Sequence, residues 1–159
     1  MMPIDPEPWL FRRIVQEIPE AVVFADRTGV IRLWNSGAET MFGYSAGEVV
    51  GQTLDLIIPD RLRPRHWDGY HKVMATGVTR YGRELLATPA IRKDNRRISI
   101  EFSITLLKED TGNVLGAAAI IRDVTARWEK EKAQRQSGAR LAAPKADKEA
   151  AAAGQLGDS

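Results

Sequence analysis

The sequence contains no cysteine. That excludes disulfides, thiolate nucleophiles, Cys-ligated zinc and iron–sulfur clusters, and with them any chromophore held through sulfur as a thioether or a photoadduct. Long apolar runs are also missing. No stretch approaches the roughly 20 residues needed to span a bilayer, and Met1-Met2-Pro3-Ile4-Asp5 lacks a signal-peptide layout, so a cytoplasmic protein away from membranes is expected. Charge of one sign is scarce: 23 Lys and Arg against 21 Asp and Glu leave a formal charge of +2. With no basic stripe interleaved with aromatics, nucleic acid is not an expected partner. Nor is there a nucleophile–base–orienter set, a metal-ligand cluster or a phosphate-binding loop, so an enzyme is not expected.

What is there suits one domain with flanks. The 159 residues are 43% hydrophobic, sufficient for a single core. Pro3, Pro6 and Pro8 predict an extended start. Leu10, Ile14 and Ile18, with Phe11 and Val15 beside them, predict an amphipathic helix over 8–18 that Pro19 stops. Residues 21–25 and 30–34 read as a hairpin about the turn Asp26-Arg27-Thr28-Gly29. Asn35 or Ser36 caps a short helix reaching Phe42, with Gly43 suited to its left-handed end. Ser45-x-x-Glu48 is a capping-box pattern, and a longer helix is predicted over 61–76.

Three strands follow. Residues 82–92 form the first, where Pro89 implies a bulge or an edge position. In the second, Ile98, Ile100, Phe102, Ile104 and Leu106 alternate with polar residues, which predicts one buried and one wet face. The third, 114–122, carries small residues at Gly116 to Ala119, where a neighbour or a ligand can approach closely. Thr125 reads as the N-cap of a charged helix. The predicted class is α+β, a five-stranded antiparallel sheet with short helices on one face. Residues 1–18 are an extension and helix, 19–125 the domain, 126–137 an outgoing helix and 138–159 a disordered tail.

Several stretches, in this order and at these separations, resemble the PAS sensor family: Asp26-Arg27-Thr28-Gly29-Val30-Ile31, Trp34-Asn35 with Ala38-Glu39, and Phe42-Gly43-Tyr44-Ser45-x-x-Glu48-Val49-x-Gly51. Ile57-Ile58-Pro59, Arg92-Lys93-Asp94 and Arg122-Asp123-Val124-Thr125 complete the set. The resemblance covers about residues 11–130 and implies a sensory module with a ligand or cofactor pocket between sheet and helices. It also implies homodimerisation through flanking helices, and output to a downstream signalling partner through the helix after Asp123 and Thr125. Glu39 with Lys93 resembles an ion pair common in the family. An interaction module with a fully packed core is the alternative within the same fold.

Among such sensors, those that bind haem place a histidine ligand on the long helix. His66, seven residues after Pro59, matches it, and a neutral imidazole is a good axial ligand for haem iron. By the same resemblance Arg83 corresponds to a distal arginine, Phe102 and Ile104 to distal apolar positions, and Tyr70 to a tyrosine beside the ligand. Noncovalent flavin is the other cofactor compatible with a cysteine-free chain. His71 lies about 140° round the helix from His66 and reads as a surface residue. Arg61, Arg63 and Arg65 read as a solvated face, and Trp9, Trp34 and Trp67 as core or interface residues.

Overall fold

The computed structural model describes residues 7–79 and 82–138. The expected tail lies outside them from residue 139, as do Pro3 and Pro6. In chain order the elements are α1 (Pro8–Glu17), β1 (Ala21–Asp26), β2 (Ile31–Trp34), α2 (Ser36–Phe42) and α3 (Ala46–Val49). Two 3₁₀ turns, Leu54–Ile57 and Asp60–Leu62, lead into α4 (Arg63–Thr76). Then come β3 (Leu86–Ile91), β4 (Arg97–Lys108), β5 (Val114–Asp123) and α5 (Thr125–Gly138).

The five strands form one antiparallel sheet in the order β2-β1-β5-β4-β3. The central pair β4 and β5 carries the predicted alternation. Ile98 and Ile100 are buried on the inner face, while Glu101 sits on the opposite face, paired with Arg122 of β5. Pro89 proves to be an edge residue: β3 is the outermost strand and its register with β4 is regular. Its missing N–H therefore needs no bulge. The strand predicted over 82–92 begins only at Leu86, and residues 82–85 are an exposed turn and loop.

Local chemistry accounts for the helix boundaries. Pro8 is the first residue of α1, not part of an extended start, because proline at the first helical position lacks only a donor that has no partner there. Asn35 caps α2 through the Ala38 N–H, and Gly43 ends it in the left-handed region. Ser45 and Glu48 form the capping box of α3. Gly29 is required in the first hairpin turn: its φ is +80°, and a Cβ there would lie 2.1 Å from the Trp67 ring. The close approach predicted at Gly116 is made by β1, whose Ala25 carbonyl would stand 2.1 Å from an added Cβ.

Asn35 is fully buried and holds three segments together. Its carboxamide oxygen accepts from Val22 N–H at 2.8 Å and Ala38 N–H at 2.9 Å. Its nitrogen donates to the carbonyls of Val15, Ile18 and Glu20. This fastens the end of α1 to the start of α2 and leaves the rest of α1 outside the core: none of its residues is buried, and Trp9, Phe11 and Ile14 are 60%, 56% and 53% exposed. Trp34, by contrast, is a core residue packed on Phe42.

Candidate functional site

A cavity of about 120 Å³ lies between the inner face of the sheet and the helical layer. The long-strand stripe supplies Phe102, Ile104 and Leu106. Ala117 and Ala119 of β5 also line it, and because these side chains are short they leave open the space that larger residues would fill. The opposite wall comes from the 3₁₀ turn at Leu54–Ile57, from Ile58, and from Val73 and Met74 of α4. Among the described lining residues the polar ones are His66, Tyr70 and Thr88, and none carries a fixed charge.

His66 stands on the first turns of α4, and its Nδ1 is buried without a hydrogen-bond partner. Its ring lies 4.8 Å from Trp67 and 5.7 Å from Tyr70. Burial pushes its pKa down from 6.5 to about 4, with Asp55 pulling weakly the other way and His71 adding a small downward push. The imidazole is therefore neutral near pH 7. Tyr70 lines the cavity too, but its hydroxyl is spent on the backbone, donating to the Asp26 carbonyl at 2.5 Å with the Ala25 carbonyl 3.1 Å away. Burial, with Asp26 nearby, raises the Tyr70 pKa and keeps that proton in place.

The start of α4 is clamped by residues whose role was not legible in advance. Asp55 accepts from Trp67 Nε1 at 2.7 Å. Arg63 donates to the Ile58 and Asp55 carbonyls, each at 3.0 Å, and pairs with Asp60 at 2.6 Å. Arg63 is thus a structural clamp, not part of a solvated face, whereas Arg61 and Arg65 are exposed as expected. His71 is exposed, its ring stacked on Trp67. Arg83 lies exposed in the turn before β3 and does not line the cavity. Phe102 and Ile104 do.

The other expected functional locus is the junction of β5 with α5. Asp123 Oδ1 accepts from the Thr125 N–H at 2.9 Å and from its hydroxyl at 2.5 Å. The Thr125 oxygen accepts from the Ser99 N–H at 2.9 Å, and the Val124 N–H donates to the Ser99 carbonyl at 2.8 Å. Thr125 is the first helical residue and not the N-cap. Asp123 instead satisfies the free backbone donor, as carboxylates at helix starts do. Arg127 pairs with Glu101, so α5 is held to β4 at two points. The ion pair expected between Glu39 and Lys93 is not formed: Lys93 pairs with Glu48, and Glu39 accepts from the Ala46 N–H at 2.8 Å. The helical side and the sheet are instead joined by Arg92 and Lys93, which donate to the carbonyls of Met41 and Phe42 at 2.8 Å.

A family model described as the PAS fold matches residues 15–129. The chain belongs to the PAS family. The sensor protein FixL of Bradyrhizobium diazoefficiens is 39% identical over 59 residues, 37% of this chain and 12% of the relative. The oxygen sensor protein DosP of Escherichia coli K12 is 26% identical over 126 residues, 79% of this chain and 15% of the relative. Among solved structures, a PAS domain from Colwellia psychrerythraea superimposes with a TM-score of 0.65 at 23% identity, covering 75% of this chain and 98% of that one. The chain spans 12% to 19% of the length of the curated relatives it matches. It is a PAS sensory domain of the kind found in signal-transduction proteins, with an α+β fold of five antiparallel strands. No helix among the described residues is long and apolar enough to cross a membrane.

Proposed function

We propose that this PAS domain is a non-catalytic sensor in which occupancy of the cavity is passed to α5. The observation that carries this reading is that β4 faces both sites. Ile100 and Phe102 line the cavity on one side of the strand, while the Ser99 backbone holds Thr125 and the Glu101 side chain, on the other side, holds Arg127 of α5. A ligand that moves β4 by a fraction of an ångström acts on the same hydrogen bonds that set the direction of α5. Filling the space from within imitates a ligand. Ala119→Leu should therefore change amide hydrogen exchange at 125–130 while the sheet stays protected. Unchanged exchange there in a folded variant contradicts the coupling.

Haem requires its own test of fit, because one relative is named as an oxygen sensor and His66 occupies the expected ligand position. The donor chemistry suits it: a neutral imidazole with an unpartnered nitrogen lines the cavity. The space does not. Pockets that bury drug-sized ligands measure about 300–1,000 Å³, against about 120 Å³ here, and haem and flavin are larger than most such ligands. Among the described lining residues there is also no cation for propionates, and the arginine matched by resemblance, Arg83, is exposed. In this arrangement the residues do not fit haem.

Assembly belongs to the same reading. Trp9, Leu10, Phe11 and Ile14 on α1, and Ile18 just after it, are exposed, and Leu107, Leu115 and Ile120 are exposed on the sheet strands β4 and β5. A second copy of the chain is the partner that covers both surfaces, which gives a homodimer, and a downstream signalling protein then reads the paired α5 helices.

A further inference from the structure

We infer that the cavity takes a small uncharged molecule about the size of phenol, apolar except for one hydroxyl group that His66 receives. The inference rests on the reading of the cavity as the ligand site, and it names the ligand class.

Three features lead to that class. The first is size. A dry cavity of about 150 Å³ lined by Leu, Ile and Phe holds benzene, and this one measures about 120 Å³. The second is charge. With no fixed charge among the described lining residues, an ionic ligand would be buried unpaired, at a cost few small molecules offset. The third is the distribution of polar atoms. Tyr70 spends its proton on backbone carbonyls, which leaves His66, a lining residue whose Nδ1 has no partner, as the side chain with hydrogen-bonding capacity to spare.

A neutral imidazole nitrogen either donates or accepts, depending on its tautomer. A hydroxyl group satisfies both cases, whereas a carbonyl satisfies only one. Water fills such a space poorly, since an ordered water wants two to four polar partners. Thr88 on β3 is the other lining residue with a hydroxyl group, so a diol or a small hydroxyaromatic falls within the class.

The test compares benzene and phenol, titrated into isotope-labelled full-length protein and followed by NMR shifts of the cavity methyl groups. The wild type should bind both. His66→Leu should weaken phenol by about tenfold, the loss expected for one hydrogen bond at a buried site, and leave benzene within about twofold. Ala119→Leu should remove both.

Absence of binding of either probe to the wild type overturns the inference. So does an equal loss of the two probes in His66→Leu. Stoichiometric uptake of haem with a Soret band that His66→Ala abolishes also overturns it, while leaving the sensory reading intact. If α5 responds to Ala119→Leu but neither probe binds, the ligand class fails alone. If the probes bind as expected and α5 stays silent, the ligand class stands and the sensory reading fails.

Discussion

His66 places an imidazole in an apolar wall with one nitrogen unsatisfied, and that arrangement has consequences beyond ligand binding. An unpartnered buried polar group costs about 1–3 kcal/mol. His66→Leu should therefore raise the unfolding free energy at pH 7 by about 1 kcal/mol or more in denaturant titrations, and a loss of stability would show that the nitrogen has a partner. The pH dependence has a definite sign. The folded pKa, about 4, lies below the unfolded value near 6.5, so the unfolded state binds the proton first. The stability that depends on neutral His66 is fully present above pH 6.5 and is lost as the pH falls towards 4. Relative to His66→Leu, the wild type should lose about 3 kcal/mol across that window; parallel stability curves for the two proteins contradict the burial of His66. Asp26 titrates lower still. Burial alone would raise its pKa, but hydrogen bonds from Thr28, Arg32 and the Val30 and Thr28 amides hold it at about 2. It stays charged throughout the range in which His66 titrates.

At the scale of the element, spacing made some boundaries legible and left others hidden. The alternation from Ile98 to Leu106 located β4 and the cavity wall, because a period of two survives in any sheet that is wet on one side. The caps at Asn35, Gly43 and Ser45 were legible because their donors and acceptors lie within one turn of each other. Long-range partners were not. Nothing in Leu54-Asp55-Leu56 announces that Asp55 meets Trp67 twelve residues on, and Lys93 chooses Glu48 over Glu39 only once α3 is packed. Asn35 is the clearest case: the sequence shows a cap, and the fold adds three carbonyls, one from the end of α1 and two from the connection to β1. Asn35→Ala leaves those groups without partners. It should cost about 3 kcal/mol or more, with the amides of α1 exchanging faster than those of the sheet; a cost below 1 kcal/mol contradicts this anchoring role. The free face of α1 makes a separate prediction. Phe11→Glu with Ile14→Glu should convert a dimer to a monomer in light scattering with little change in melting temperature. A wild type already monomeric at high micromolar concentration refutes the assembly.

For the whole molecule, the architecture was legible and the content of the cavity was not. The fold followed from element order and the family motifs, whereas the volume of the space depends on how Ala117 and Ala119 face α4 across the cavity, which no local pattern encodes. The cavity and α5 lie on opposite faces of β4, and the account stands on their being coupled through the junction at Ser99, Asp123 and Thr125. Thr125→Val keeps the shape of that residue and removes its hydroxyl from the junction. The decisive measurement is amide exchange at residues 125–130 in Ala119→Leu, with and without Thr125→Val. The account predicts that cavity filling alters exchange in α5 and that Thr125→Val reduces this response to a small fraction. A response of the same size in both backgrounds, or none in either, contradicts transmission through the junction.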